Sequence, residues 1–182
     1  MFGDPEFFDI EQKKLFGIWP HDQLIGRGIL PYLRRMKVDK LAGLVVGDHK
    51  GENIYDILSN GPENIVKLNV VHDETIFEDN LRELYRKNTS EFDKKLESGI
   101  TPNKRRNFVI IDKSMLTVEN LEKYYDMLRP NGIFCGNGYD LETTKETLRR
   151  FRRKNKIGIP IQISFTSTWF WYKKEFKVED VK

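Results

Sequence analysis

The sequence predicts an α/β fold: a three-layer sandwich with a mostly parallel sheet, helices on both faces and a C-terminal antiparallel hairpin. Three observations lead there. Short apolar runs at 41–47, 64–71, 108–111 and 132–135 alternate with longer segments of helical spacing, and parallel neighbours need such crossovers. The first three runs stop at polar ends: Gly47-Asp48-His49-Lys50-Gly51, His72-Asp73-Glu74 and Asp112-Lys113-Ser114. The tail changes period. Ile161, Ile163 and Phe165 alternate with Gln162 and Ser164 before Trp169-Phe170-Trp171-Tyr172, a hairpin signal.

Taken in order, residues 1–40 form an aromatic-rich extension with Phe2, Phe7, Phe8, Phe16 and Trp19. It serves as a lid, a dimer contact (hence a homo-oligomer) or packing on its own sheet. A helix is expected over 22–37, weakened by Gly26, Gly28 and Pro31. The strand at 41–47 turns through two glycines into a helix with Ile54, Ile57 and Leu58 on one face, broken by Asn60-Gly61-Pro62. A charged, mostly helical segment fills 76–106. No convincing third strand appears in 88–106, so that sheet edge is expected to be shortened, helical or missing.

The strand at 108–111 ends at Asp112. Thr117 caps a helix in which Val118, Leu121, Tyr125 and Leu128 recur, stopped by Pro130-Asn131-Gly132. The helix over 141–154 turns Leu141, Leu148 and Phe151 inward and a basic face outward. Alternation on a strand buried on both faces accounts for Trp169 to Tyr172. The boundaries read as an extension at 1–40, one domain at 41–175 and a tail at 176–182.

Composition narrows the class. The 182 residues are 38% hydrophobic, 32% charged and 12% aromatic, which suits a single globular domain. A net charge of +3 does not by itself imply nucleic acid. The basic run at 145–156 reads as the solvated face of a helix. Cys135 stands alone, so a reducing, cytoplasmic setting is expected. No window reaches the roughly 20 apolar residues of a membrane span, and the N-terminus has no secretory pattern.

In such sheets ligands lie beyond the carboxyl ends of the strands. A strand, a glycine turn and a helix start make a ligand cradle at 47–51. It lacks G-x-x-x-x-G-K-[ST], and G-x-G-x-x-G fails at His49. His49 meets an anion or is a solvated loop residue. Asp73 holds a diol or caps a helix. Asp112, closing an apolar strand, needs a cation or donors to offset burial.

With these residues assembled, the pattern resembles the Rossmann-like S-adenosylmethionine-dependent methyltransferases, in particular small-molecule and sugar-modifying members. Gly47-Asp48-His49-Lys50-Gly51 is similar to the family's first motif, and Asp73 stands where an acid binds the ribose. Phe108-Val109-Ile110-Ile111-Asp112 resembles the fourth motif. Leu128-Arg129-Pro130-Asn131-Gly132-Ile133-Phe134 is similar to the turn into strand five.

The resemblance implies a cofactor site of Gly47, Asp48, His49, Gly51, Asp73 and Asp112. It implies methyl transfer to a small polar acceptor, with Asp112 as base or acceptor-orienting group and Tyr139 beside it. The chain departs from the family at Val45, where an acid is usual. It departs again at Asp112-Lys113-Ser114-Met115, where Asp-x-x-His is usual, and at Asn137-Gly138-Tyr139, where His-Asp-Tyr is usual. With only Asp112 and the displaced Asp140 as carboxylates, no divalent metal is expected. These departures leave a second reading, a degenerate binding or assembly module without turnover. A third reading, RNA or cap methylation, uses the basic helix.

Overall fold

The computed structural model describes residues 25–47, 52–71, 94–101, 103–163 and 167–174. The elements in order are α1 (Ile25–Arg35), β1 (Leu41–Val46), α2 (Glu52–Asn60), β2 (Ile65–Val71), β3 (Leu96–Ser98) and β4 (Arg106–Ile111). They continue with a 3₁₀ turn (Lys113–Met115), α3 (Val118–Asp126), β5 (Leu128–Gly136), α4 (Glu142–Lys154), β6 (Gln162–Ile163) and β7 (Trp169–Tyr172). Among the described residues the strands form one sheet in the order β3-β2-β1-β4-β5-β7-β6. β1 to β5 pair in parallel, and β7 is antiparallel to both β5 and β6.

Strand side chains alternate between two cores, as a period of two requires. On one side, Leu41 and Val45 of β1, Phe108 and Ile110 of β4, and Ile133 and Cys135 of β5 pack with α1 and α2. On the other, Leu44, Val46, Val109, Ile111 and Phe134 pack with α3, α4, Trp169 and Trp171. Pro31 lies inside α1, yet the helix holds because Ile29, Leu30 and Leu33 are buried in the first core. The second core is aromatic. Tyr125 sits 5.1 Å from Phe134 and 5.5 Å from Phe151, centroid to centroid, and the Trp169 and Trp171 rings stack at 5.4 Å.

The sheet edge expected to be shortened, helical or missing is shortened, to the three-residue β3 paired to β2 at Leu68, Asn69 and Val70. Several expectations need correction. Leu128 does not continue α3, which ends at Asp126; it begins β5. Pro130, Asn131 and Gly132 lie within β5 as a bulge, with Asn131 at φ 63°. Leu141 is 42% exposed because it occupies the N-cap of α4, outside the inward stripe of Leu148 and Phe151. The hairpin expectation holds, with β7 between β5 and β6. Lys173, just past β7, donates to the carbonyls of Tyr125 and Leu128 at 3.0 and 3.1 Å, a cation at the C-terminal end of α3. Among the described residues no helix is long and apolar enough to cross a membrane.

Candidate functional site

The carboxyl ends of β1, β4 and β5 lie side by side, because Val46 pairs with Ile111 and Ile111 with Gly136. β1 leads into Gly47, whose N–H donates to the Val71 carbonyl at 2.6 Å. Gly47 adopts φ 79°, and a Cβ there would stand 2.3 Å from Met115 Cγ and 3.3 Å from Asp112 Cβ. The left-handed backbone and the lack of space both demand glycine.

At the end of β4, the Asp112 N–H donates to the Val46 carbonyl at 2.8 Å. Its carboxylate caps the following turn. Oδ2 accepts from the Ser114 N–H at 2.9 Å and from Ser114 Oγ at 2.5 Å. Oδ1 accepts from Asn137 Nδ2 at 2.9 Å. Of roughly four lone-pair positions on a carboxylate, these donors occupy three, so Asp112 is a fixed, partly exposed acceptor.

Asn137, at the end of β5, is the residue that the sequence did not single out. It is buried, and its Oδ1 also accepts from the Lys113 N–H at 2.7 Å, while its own carbonyl accepts from Trp169 Nε1 at 3.1 Å. Through its side-chain amide and its backbone carbonyl, Asn137 thereby joins the ends of β4 and β5 to β7. An asparagine directly after an apolar strand was the available signal, but Asn-Gly reads first as a turn.

Tyr139 joins this edge through its backbone, whose N–H donates to the Ser167 carbonyl at 3.1 Å. Its ring packs on the second core, with Lys145 Nζ 5.7 Å from the ring centroid. Asp48, His49, Gly51 and Asp73 lie outside the described residues, as do the N-terminal aromatics. Cys135 is fully buried, and burial pushes its thiol well above the ordinary value, so it serves as packing. Among the described residues no three His, Cys, Asp or Glu side chains gather as a metal-binding group.

No protein-family model matches the sequence, and no curated protein sequence matches it. Solved structures do match the fold. A methyltransferase from Geobacter sulfurreducens is similar over 95% of this chain and 90% of its own, with TM-score 0.65 and 14% identity. A methyltransferase from Pyrococcus furiosus is similar over 93% and 96%, with TM-score 0.58 and 18% identity. Spermidine synthase from Thermotoga maritima is similar over 95% of this chain and 62% of its own, with TM-score 0.54 and 17% identity. Such identities speak for architecture, and one architecture hosts several chemistries. The chain has the Rossmann-like methyltransferase fold.

Proposed function

We propose that the chain binds S-adenosylmethionine at the carboxyl edge of β1 and β4 and transfers a methyl group to a small polar acceptor. The observation that carries the reading is the adjacency of Gly47 and Asp112, a left-handed turn at the end of β1 beside a fixed carboxylate at the end of β4. That combination suits a cationic ligand with amino and hydroxyl groups. The carboxylate has one lone-pair position left to accept from a bound group. When bound, S-adenosylmethionine supplies an electrophilic methyl group on a sulfonium. Asp48, His49, Gly51 and Asp73 would complete the binding site, with Asp73 toward the ribose hydroxyls. Through that remaining position Asp112 orients the acceptor, accepting a hydrogen bond from its O–H or N–H, and positioning of this kind accounts for much of the rate in such transfers.

A second reading has a specific observation in its favour. Both oxygens of Asp112 are engaged within the protein, which suits a binding module without turnover.

Titration calorimetry on the full chain separates the readings. One-to-one heats with S-adenosylmethionine, weakened by Asp112→Ala, are expected. Silence with both the cofactor and its demethylated product removes the proposal. Binding without label transfer to a broad panel of alcohols and amines favours the binding module.

A further inference from the structure

The opposite edge of the sheet carries a second polar feature. At the amino ends of the strands an open groove of 590 Å³ is lined by Lys67, Glu97, Lys104, Arg105, Arg106 and Arg129. Two irregularities in the sheet shape it. Leu41 pairs with Ile65 but Ala42 with Lys67, so Val66 is an extra residue. Arg106 pairs with Leu128 but Phe108 with Ile133, so residues 129–132 bow out of the ladder. Bulges of this sort re-aim side chains and are frequent beside binding sites.

Arg106 is the unusual member. It is 3% exposed, its Nη2 donates to Asn69, and its Nε has no acceptor. Asn69 is neutral and is itself fixed to the Gly99 carbonyl at 3.0 Å. Burial holds the Arg106 guanidinium below the ordinary arginine value; Glu97 opposes this shift, and Arg129 adds to it. The single acid among the described lining residues, Glu97, is taken by Lys67 at 3.3 Å. Buried charges are ordinarily paired. Here Lys104, Arg105 and Arg129 stand exposed around a buried guanidinium, and none of the four forms an ion pair among the described residues.

We infer that this groove is an anion site for the oligophosphate group of a small molecule. Five cations against one acid leave four positive charges. A single phosphate brings only about two negative charges, whereas a diphosphate or triphosphate matches the excess. The volume falls within the roughly 300–1,000 Å³ of small-ligand sites, which favours a compact polyanion over a long nucleic-acid track. Guanidinium forks at Arg105 and Arg129 suit bidentate phosphate contacts. The strands run about 20 Å from this edge to Asp112, so the groove is separate from the methyl-transfer edge and its proposal is independent of that reading.

Calorimetry of the full chain with tripolyphosphate, pyrophosphate and orthophosphate at fixed ionic strength tests the inference. Saturable one-to-one binding is expected, tightest for tripolyphosphate and weakest for orthophosphate. Arg105→Ala with Arg129→Ala should weaken it by about tenfold or more, while heats with S-adenosylmethionine stay unchanged. Circular dichroism establishes that the double variant folds; if it does not, the exposed Lys104→Ala decides, with weakened binding expected. Absence of saturable heat with tripolyphosphate overturns the proposal. So does binding unchanged in the folded variant, or displacement by single-stranded RNA with affinity that climbs with RNA length.

Discussion

Asn137 donates to Asp112 Oδ1 at 2.9 Å and accepts from the Lys113 N–H at 2.7 Å, so one buried amide fixes both the carboxylate and the backbone that follows it. Asn137→Leu removes both bonds and leaves the Lys113 N–H without its acceptor. A loss of about 1–3 kcal/mol is expected in urea unfolding. Asn137→Asp keeps an acceptor for Lys113 but sets an acid against Asp112, and at neutral pH should cost more than Asn137→Leu. Equal stability of the wild type and both variants would mean that the two strand ends are held by other contacts.

Gly47 is under two separate constraints, its φ of 79° and the 2.3 Å approach of a Cβ to Met115 Cγ. Gly47→Ala should destabilise the fold by about 1–3 kcal/mol. Adding Met115→Ala relieves the collision but not the backbone strain. The pair should therefore be destabilised by less than the sum of the two single changes. Simple additivity would show that the collision is absent in solution.

Glu122 joins α3 to the end of α4. Its carboxylate accepts from Lys154 Nζ at 2.9 Å and from Asn155 Nδ2 at 3.2 Å. These hydrogen bonds, from Lys154 first and Asn155 second, hold its carboxyl below the ordinary value of 4.5. A carboxyl depressed in the folded state stabilises the fold above the unfolded value, and that contribution fades as pH falls through the folded one. The Tm difference between wild type and Glu122→Gln should thus be constant near neutrality and close below pH 4.5. The effect is small because the pair lies at the surface, with Lys154 exposed and Glu122 partly so. A difference that persists in strong acid would assign it to something other than charge.

What was legible in the sequence follows from how local the signal is. Asp112 could be singled out because an acid closing an apolar strand is costly unless donors meet it, and three donors do. Asn137 escaped because its partners lie 25 and 24 residues away, a separation that no periodicity reports. Leu128 fits the spacing of α3, but tertiary pairing with Arg106 claims it for β5. Arg106 looked like the end of a charged segment. Only the sheet shows it buried beneath a groove of like charge.

β7 lies between β5 and β6 although it is the last strand in sequence among the described residues. Its Trp169 and Trp171 supply rings against Phe134, at 5.8 and 5.3 Å. On the ribosome, every earlier element emerges before those rings exist. A nascent chain that stalls ahead of Trp169 therefore exposes an unpaired β5 edge and a bare aromatic surface, both invitations to aggregation. The β5 edge and the second core are closed only once β7 is in place.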